Sequence, residues 1–263
     1  MSLLTIKNLK LALKDPKKIY SYLKKYFYFQ DSFVQEFLSG RSDFLRYKKE
    51  IEESGLVSNL LEKKRIFENQ IKGKTYRGNS YNFGAISADS GIRIYSIIRK
   101  TKPQIAVETG VCNGISTAFI LAAMEKNGLG KLYSIDFPEV AWKNYETGTF
   151  WAGKGGAVIP PDKMPGWIIP DHLRNRWELI IGKTTEKLLE LLEKLGKIDF
   201  FMHDSEHSYE CMSFEFNLAY SRLIVGGVLV SHDIEWNSAF DEFLKKINKS
   251  SLKIEDGVGM IIK

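Results

Sequence analysis

Between residues 16 and 38 the apolar positions Ile19, Tyr20, Tyr22, Leu23, Tyr26, Phe27, Phe29, Phe33, Val34 and Phe37 return every three or four residues, the period at which one helix face meets a core. Lys17, Lys18, Lys24 and Lys25 fall opposite that stripe, so the pattern predicts an amphipathic, basic helix. Residues 43–71 keep the helical period with more charge and a sparser apolar face. The pattern then changes. A helix over 87–99, ended by Pro103, leads into a short apolar run at 104–109, a glycine turn at 110–114 and an apolar helix to about Lys126. Further runs at 131–136, 177–181, 198–203 and 227–232 have the length of buried strands, with helical patterns between them. Such alternation predicts an α/β domain with a mostly parallel sheet and helices on both faces. The chain therefore reads as a helical extension, 1–75, joined through a Gly-, Asn- and Ser-rich loop at 73–84 to an α/β domain, 76–263.

One stretch interrupts the alternation. Residues 138–170 hold five of the seven prolines, five glycines and three of the five tryptophans, so no regular element runs through them. An insertion this long in a compact domain is usually functional, and Trp142, Trp151 and Trp167 argue against disorder. It reads as a lid over the mouth of a cleft, lending tryptophan surface to an acceptor pocket.

Composition narrows the classes. No apolar run reaches the roughly 18 to 20 residues of a membrane span, and the first residues alternate Lys with Leu instead of forming a secretory core. Cys112 and Cys211 fall in a βα turn and a helix, which gives no disulfide framework and fits a reducing cytoplasm. Of the net charge of +6, residues 1–75 carry an excess of seven positive charges and residues 76–263 an excess of one negative. This asymmetry places an attachment surface ahead of a nearly neutral body and argues against a nucleic-acid channel. The stripe at 16–38 is expected to pack on the domain or on a second copy, with peripheral contact to lipid headgroups as the alternative.

Chemistry collects where strands end. Glu108 closes one strand and precedes the turn Gly110–Gly114, where Gly110 allows a sharp bend and Gly114 a close approach of helix and ligand, with Ser116 in the helix's first turn. A glycine-rich turn alone also serves phosphates. A carboxylate beside it suits a ligand with an ammonium and a sulfonium, and repels a pyrophosphate. Asp136 closes the next strand, 26 residues after Gly110, where an acid can accept both hydroxyls of a ribose. Its plainer role would be to start the turn into Phe137-Pro138. Two later strands end in Asp204-Ser-Glu-His207 and Ser231-His232-Asp233, so three of the four histidines gather at two strand ends. Asp204 and Asp233 also suit helix N-caps, and His203 reads as a core histidine.

The phrases AVETGVCNGIST, LYSIDFPE, IDFFMHDSEHSYE and GGVLVSHDI, in that order over about residues 84–236, resemble the class I S-adenosylmethionine-dependent methyltransferases, of the branch with macrolide-sugar O-methyltransferases and cephalosporin-hydroxylase-like proteins. The resemblance implies a Rossmann-like fold, strand order 3-2-1-4-5-7-6 with the seventh strand antiparallel, and residues 251–262 as its last two strands. It places Glu108, Gly110 and Asp136 on S-adenosylmethionine. Cys112 stands where a glycine is often found. In the metal-dependent sugar enzymes an Asp and an acidic pair hold Mg²⁺, with a His three residues beyond the Asp as base. Asp204 and His207 match that spacing, whereas His232-Asp233 replaces the acidic pair. A divalent metal ion on Asp204, His232 and Asp233 is implied, of a softer kind than Mg²⁺.

The expected function is methyl transfer to a hydroxyl of a sugar, glycan or other small-molecule acceptor, with His207 as base and Asp204 orienting it or sharing a metal with Asp233. Two other readings stand beside it. An NAD-dependent oxidoreductase would use Asp136 but lacks a G-x-G-x-x-G run. A noncatalytic Rossmann-like module would dock through the basic helix.

Overall fold

The expected helical stretch at 43–71 is two helices, α1 (Arg41–Glu53) and α2 (Leu56–Ile71), parted where Gly55 takes φ 75°. Ser54 serves both ends, its hydroxyl donating to the Ile51 carbonyl (2.7 Å) and accepting from the Leu56 N–H (3.2 Å). A computed structural model of the protein describes residues 33–38, 40–76, 79–84, 86–142, 156–254 and 257–263. Most of the basic stripe, residues 16–32, and Trp151 of the insertion lie outside them. Among the described residues no helix is long and apolar enough to cross a membrane.

The loop expected at 73–84 contains two strands, β1 (Thr75–Tyr76) and β2 (Asn79–Asn82). Helix α3 (Ala88–Thr101) follows, capped by the Ser87 hydroxyl, which accepts from the Ser90 N–H at 3.1 Å. Then come β3 (Ile105–Thr109), α4 (Ile115–Asn127), β4 (Lys131–Asp136), β5 (Gly156–Ala157), a 3₁₀ turn (Asp171–Arg176), β6 (Trp177–Ile181), α5 (Thr184–Leu195), β7 (Ile198–His203), α6 (Tyr209–Arg222), β8 (Leu223–Ser231), α7 (Ala239–Ile247), β9 (Leu252–Lys253) and β10 (Gly259–Ile262).

Seven strands form the main sheet in the order β6-β4-β3-β7-β8-β10-β9, in which β10 alone runs against its neighbours. Counted from β3, this is the 3-2-1-4-5-7-6 order with an antiparallel seventh strand. Strands β3 and β7 are buried nearly throughout, as expected of parallel strands covered on both faces. One core layer gathers Val107, Leu188, Phe201, Phe216, Leu229 and Phe240. The order in which strands are added to the sheet reverses between the parallel strands β3 and β7, and there the C-terminal ends of the central strands open a crevice.

The chain divides into two units, Met1–Arg46 and Tyr47–Lys263. In the described part of the first, Phe33 and Phe37 stack at 5.5 Å between ring centroids within a single π-helical turn. The division falls earlier than a boundary at residue 75, because the helices past residue 47 are tied into the larger unit. Arg99 donates to Glu50 through Nε (2.6 Å) and Nη2 (3.2 Å), Lys63 donates to the Ile168 carbonyl (2.9 Å), and Phe67 packs edge-on against Phe83 and Trp167.

The described parts of the insertion are held at their base. Strand β5 pairs with β2 in a small separate sheet with β1. Asn113, buried in the turn before α4, donates to the carbonyls of Phe83 (2.6 Å) and Val158 (2.9 Å) and accepts from Trp167 Nε1 (2.5 Å). Gly114, expected to let a ligand approach, instead admits the insertion: a Cβ there would lie 2.7 Å from Gly166 Cα and 3.0 Å from Ile169. Asn113→Ala would strand three polar groups at this clamp, so urea unfolding should show a loss of about 2 to 4 kcal/mol, whereas a loss below about 0.5 kcal/mol would mean that the clamp holds little.

Candidate active site

A cavity of about 550 Å³ opens at the C-terminal edge of the sheet, within the range of small-molecule sites. Its walls come from five strand ends: Gly110–Ser116 after β3, Asp136–Glu139 after β4, Lys183–Thr185 after β6, Asp204–His207 after β7, and His232, Asp233 and Trp236 after β8. Asn82, Gly84 and Ala157 close the side formed by the small sheet.

The turn after β3 is shaped by a close approach. Gly110 takes φ 83°, and a Cβ on it would lie 1.9 Å from the Asp204 carbonyl oxygen, so only glycine fits. Its N–H donates to Ile135 O (2.9 Å), and the Asp204 N–H donates to Thr109 O (2.8 Å), extending strand pairing into both turns. Cys112 adopts φ 47°, a left-handed conformation that a glycine would hold with less strain. In that conformation its N–H donates to Asp136 Oδ2 at 3.1 Å.

Asp136 stands at the cavity wall, 8% exposed. Burial pushes its carboxyl up to about 7, against the pull of backbone N–H donors at Cys112, Val111 and Phe137. Glu108, expected to face an ammonium, lies behind the wall instead. It is fully buried, lines none of the cavity, and accepts from Ser116 (2.7 Å), Thr117 (2.8 Å) and Ser134 (2.8 Å). Burial lifts its carboxyl to about 7 in spite of these donors. Ser116 lines the cavity and links Glu108 to it.

Asp204 and His207 sit in the loop between β7 and α6, not on the helix; the cap is Ser208, whose hydroxyl accepts from the Cys211 N–H at 3.2 Å. The pairing also differs from expectation. Asp204 Oδ1 accepts from His232 Nδ1 (2.9 Å), while His207 Nε2 is nearer to Asp233 Oδ2 (3.3 Å) than to Asp204 Oδ1 (3.9 Å). The His232 N–H bonds to His203 O (3.0 Å) and continues the β7–β8 ladder, which is why two sequence-distant histidines share one wall. Burial, reinforced by the neighbouring His203, brings the His207 imidazole down to about 4, so it is neutral at pH 7. Burial also raises Asp233. His203 is a core histidine, as read from the sequence, with Nδ1 2.7 Å from Glu215.

Sequence reasoning missed several wall residues. Lys183, Thr184 and Thr185 follow β6 beyond Gly182, and the rule that ligands meet strand C-termini could have flagged them. Trp236, 53% exposed, packs on His207 with centroids 5.0 Å apart. Of the insertion's described tryptophans, Trp142 contacts Tyr81, Trp167 contacts Phe67 and Asn113, and neither lines the cavity.

A family model described as a methyltransferase domain matches residues 107–234. Among solved structures, an O-methyltransferase from Bacillus cereus in complex with SAH is similar at 13% identity, over 80% of this chain and 91% of that one, with a TM-score of 0.51. The O-methyltransferase NovP is similar at 16% identity, over 74% and 87%, also with a TM-score of 0.51. No curated protein matches. At these identities the structures establish the shared fold, while the domain match spans β3 to the end of β8, the stretch that supplies the turn, Asp136 and the histidine cluster. Residues 107–234 thus form an S-adenosylmethionine-dependent methyltransferase domain, carried on the fold that this chain shares with these O-methyltransferases.

Proposed function

We propose that the chain methylates a hydroxyl oxygen of a sugar or other small-molecule acceptor, with His207 as the general base. The observation that carries this reading is the His207 imidazole, with Nε2 3.3 Å from Asp233 Oδ2, in the same cavity wall as Asp136 and the Gly110 turn. S-Adenosylmethionine supplies an electrophilic methyl group on a sulfonium. Gly110 and Asp136 are the proposed holders of that cosubstrate, Asp136 at its ribose hydroxyls, with Ser116 and Thr184 completing the wall. Glu108 acts from behind, keeping Ser116 and the turn in place. Asp204 belongs to both halves: its carbonyl packs on Gly110 and its carboxylate holds His232. His207 takes the hydroxyl proton, and Asp233, at 3.3 Å, stabilises the imidazolium that results. Trp236 offers an exposed aromatic face beside that ring, suited to a sugar or another flat apolar surface.

The same cluster supports a second reading. One ligand atom each from Asp204, His207 and His232 lies within 4.8 Å of the others. Two imidazoles do not fit Mg²⁺, which takes oxygen donors; they suit a softer divalent ion. On this reading His207 joins Asp204 and His232 as a ligand, a place assigned to Asp233 from sequence, and proton removal falls to another group.

Asp136→Ala should weaken S-adenosylhomocysteine (SAH) by about 1.5 to 3 kcal/mol in isothermal titration, the range for hydrogen bonds to a charged group. Because the raised carboxyl ionises near 7, native affinity should rise from pH 6 to pH 8, and Asp136→Asn should flatten that slope. Unchanged affinity in both variants would remove Asp136 from the site. For the base, His207→Ala should lower kcat by about 10² to 10⁴ with SAH affinity retained, on an acceptor found by screening glycosides for SAH release. Near-native turnover would reassign proton removal. For the metal, elemental analysis of protein purified without chelators should find a transition metal that His232→Ala loses; a metal-free protein indifferent to EDTA would leave the general-base reading alone.

A further inference from the structure

Glu215, on α6, is fully buried and lines none of the cavity, yet its carboxylate contacts residues at the ends of β3 and β7 and, through Cys211, is linked to Thr184 after β6. Oε2 accepts from Thr109 Oγ1 (2.5 Å) and faces His203 Nδ1 (2.7 Å), while Oε1 accepts from Ser205 Oγ (2.7 Å) and Cys211 Sγ (3.4 Å). A carboxylate has about four lone-pair sites, and all four are used. Burial would raise this carboxyl, but His203 and the hydroxyl donors outweigh it and hold it at about 2.

Each donor leads to a working part of the site. Thr109 immediately precedes Gly110. Ser205 lines the cavity beside Asp204. His203 stands edge-on to His207, with centroids 5.3 Å apart and planes at 83°. Cys211 Sγ lies 3.5 Å from Thr184 Oγ1, at the wall after β6. Nothing in the proton-transfer step uses Glu215 directly, so its place is behind the chemistry.

We propose that Glu215 is a positioning residue for methyl transfer, fixing the cofactor turn and the 203–207 segment against each other so that cosubstrate affinity and His207 orientation are set together. This rests on the reading of the cavity given above. The chemistry demands a carboxylate of glutamate length. Glutamine offers one acceptor oxygen and places an N–H against incoming donors. Aspartate is one methylene too short to span Thr109 and Ser205. An apolar residue removes the shared acceptor of all four donors and leaves the buried His203 Nδ1 without the carboxylate it faces, a state that proteins rarely tolerate.

The test uses the full chain with Thr109→Val and Thr109→Ser. Valine keeps the shape of threonine and deletes one donor; serine keeps the hydroxyl. Neither touches the cavity. SAH titration should show Thr109→Val weakened by about fivefold to tenfold, the factor expected from one charge-assisted hydrogen bond acting at a distance. The His207 ring resonance, assigned by its absence in His207→Ala, should move in the same variant. Thr109→Ser should restore both. Glu215→Gln should do as Thr109→Val does, with a larger loss. A folded Thr109→Val with native SAH affinity and an unmoved His207 resonance overturns the proposal, as does a Thr109→Ser that behaves like valine. A native chain that fails to bind SAH overturns the cavity reading and this inference with it.

Discussion

The backbone of Gly110 and the carbonyl of Asp204 occupy adjoining space with no room for a β-carbon between them, 1.9 Å separating the two were one added. Everything at the site follows from that approach. It happens where the sheet order reverses between β3 and β7, so the two turns diverge above it and leave the crevice. It also joins the two chemical halves. The residue that abuts the turn after β3 through its carbonyl holds His232 through its carboxylate.

Three buried carboxylates around this point are handled in three ways. Asp136 keeps one face toward the cavity and is raised by burial in spite of the backbone N–H groups that donate to it. Glu108 is raised too, but three hydroxyls occupy it, and its work is to brace the turn and Ser116. Glu215 is lowered, because an imidazole and three further donors surround it. The same functional group thus faces a cavity, braces a turn or gathers buried donors, according to where the fold places it.

The described segments of the insertion add a wall to the cavity, and none of their tryptophans lines it. Its described segments are fastened by Asn113 and by pairing of β5 with β2, and they give the cavity Pro138, Glu139 and Ala157. The aromatic surface beside His207 comes from Trp236, in the turn after β8. Trp167 is drawn toward Phe67 and Asn113, on the side of α2, and away from the crevice.

Patterns along the chain were enough to read strands β3, β4, β6, β7 and β8, their alternation with helices, the glycine at 110 and the strand-end positions of Asp136, Asp204, His207, His232 and Asp233. These are local properties: apolar runs, a period of 3.6 and turn residues read directly along the chain. The break at Gly55 and the short strands β1 and β2 were hidden, since a lone Gly in a helical pattern and two strands in a polar stretch carry weak local signals. Tertiary structure alone decided the direction in which each polar side chain faces. Glu108 turned inward because Ser116, Thr117 and Ser134 converge on it, Gly114 met the insertion, and His207 paired with Asp233 while Asp204 paired with His232. Each of those outcomes joins residues far apart in the chain, and such partners are chosen by how strands stack in the sheet, which no local pattern records.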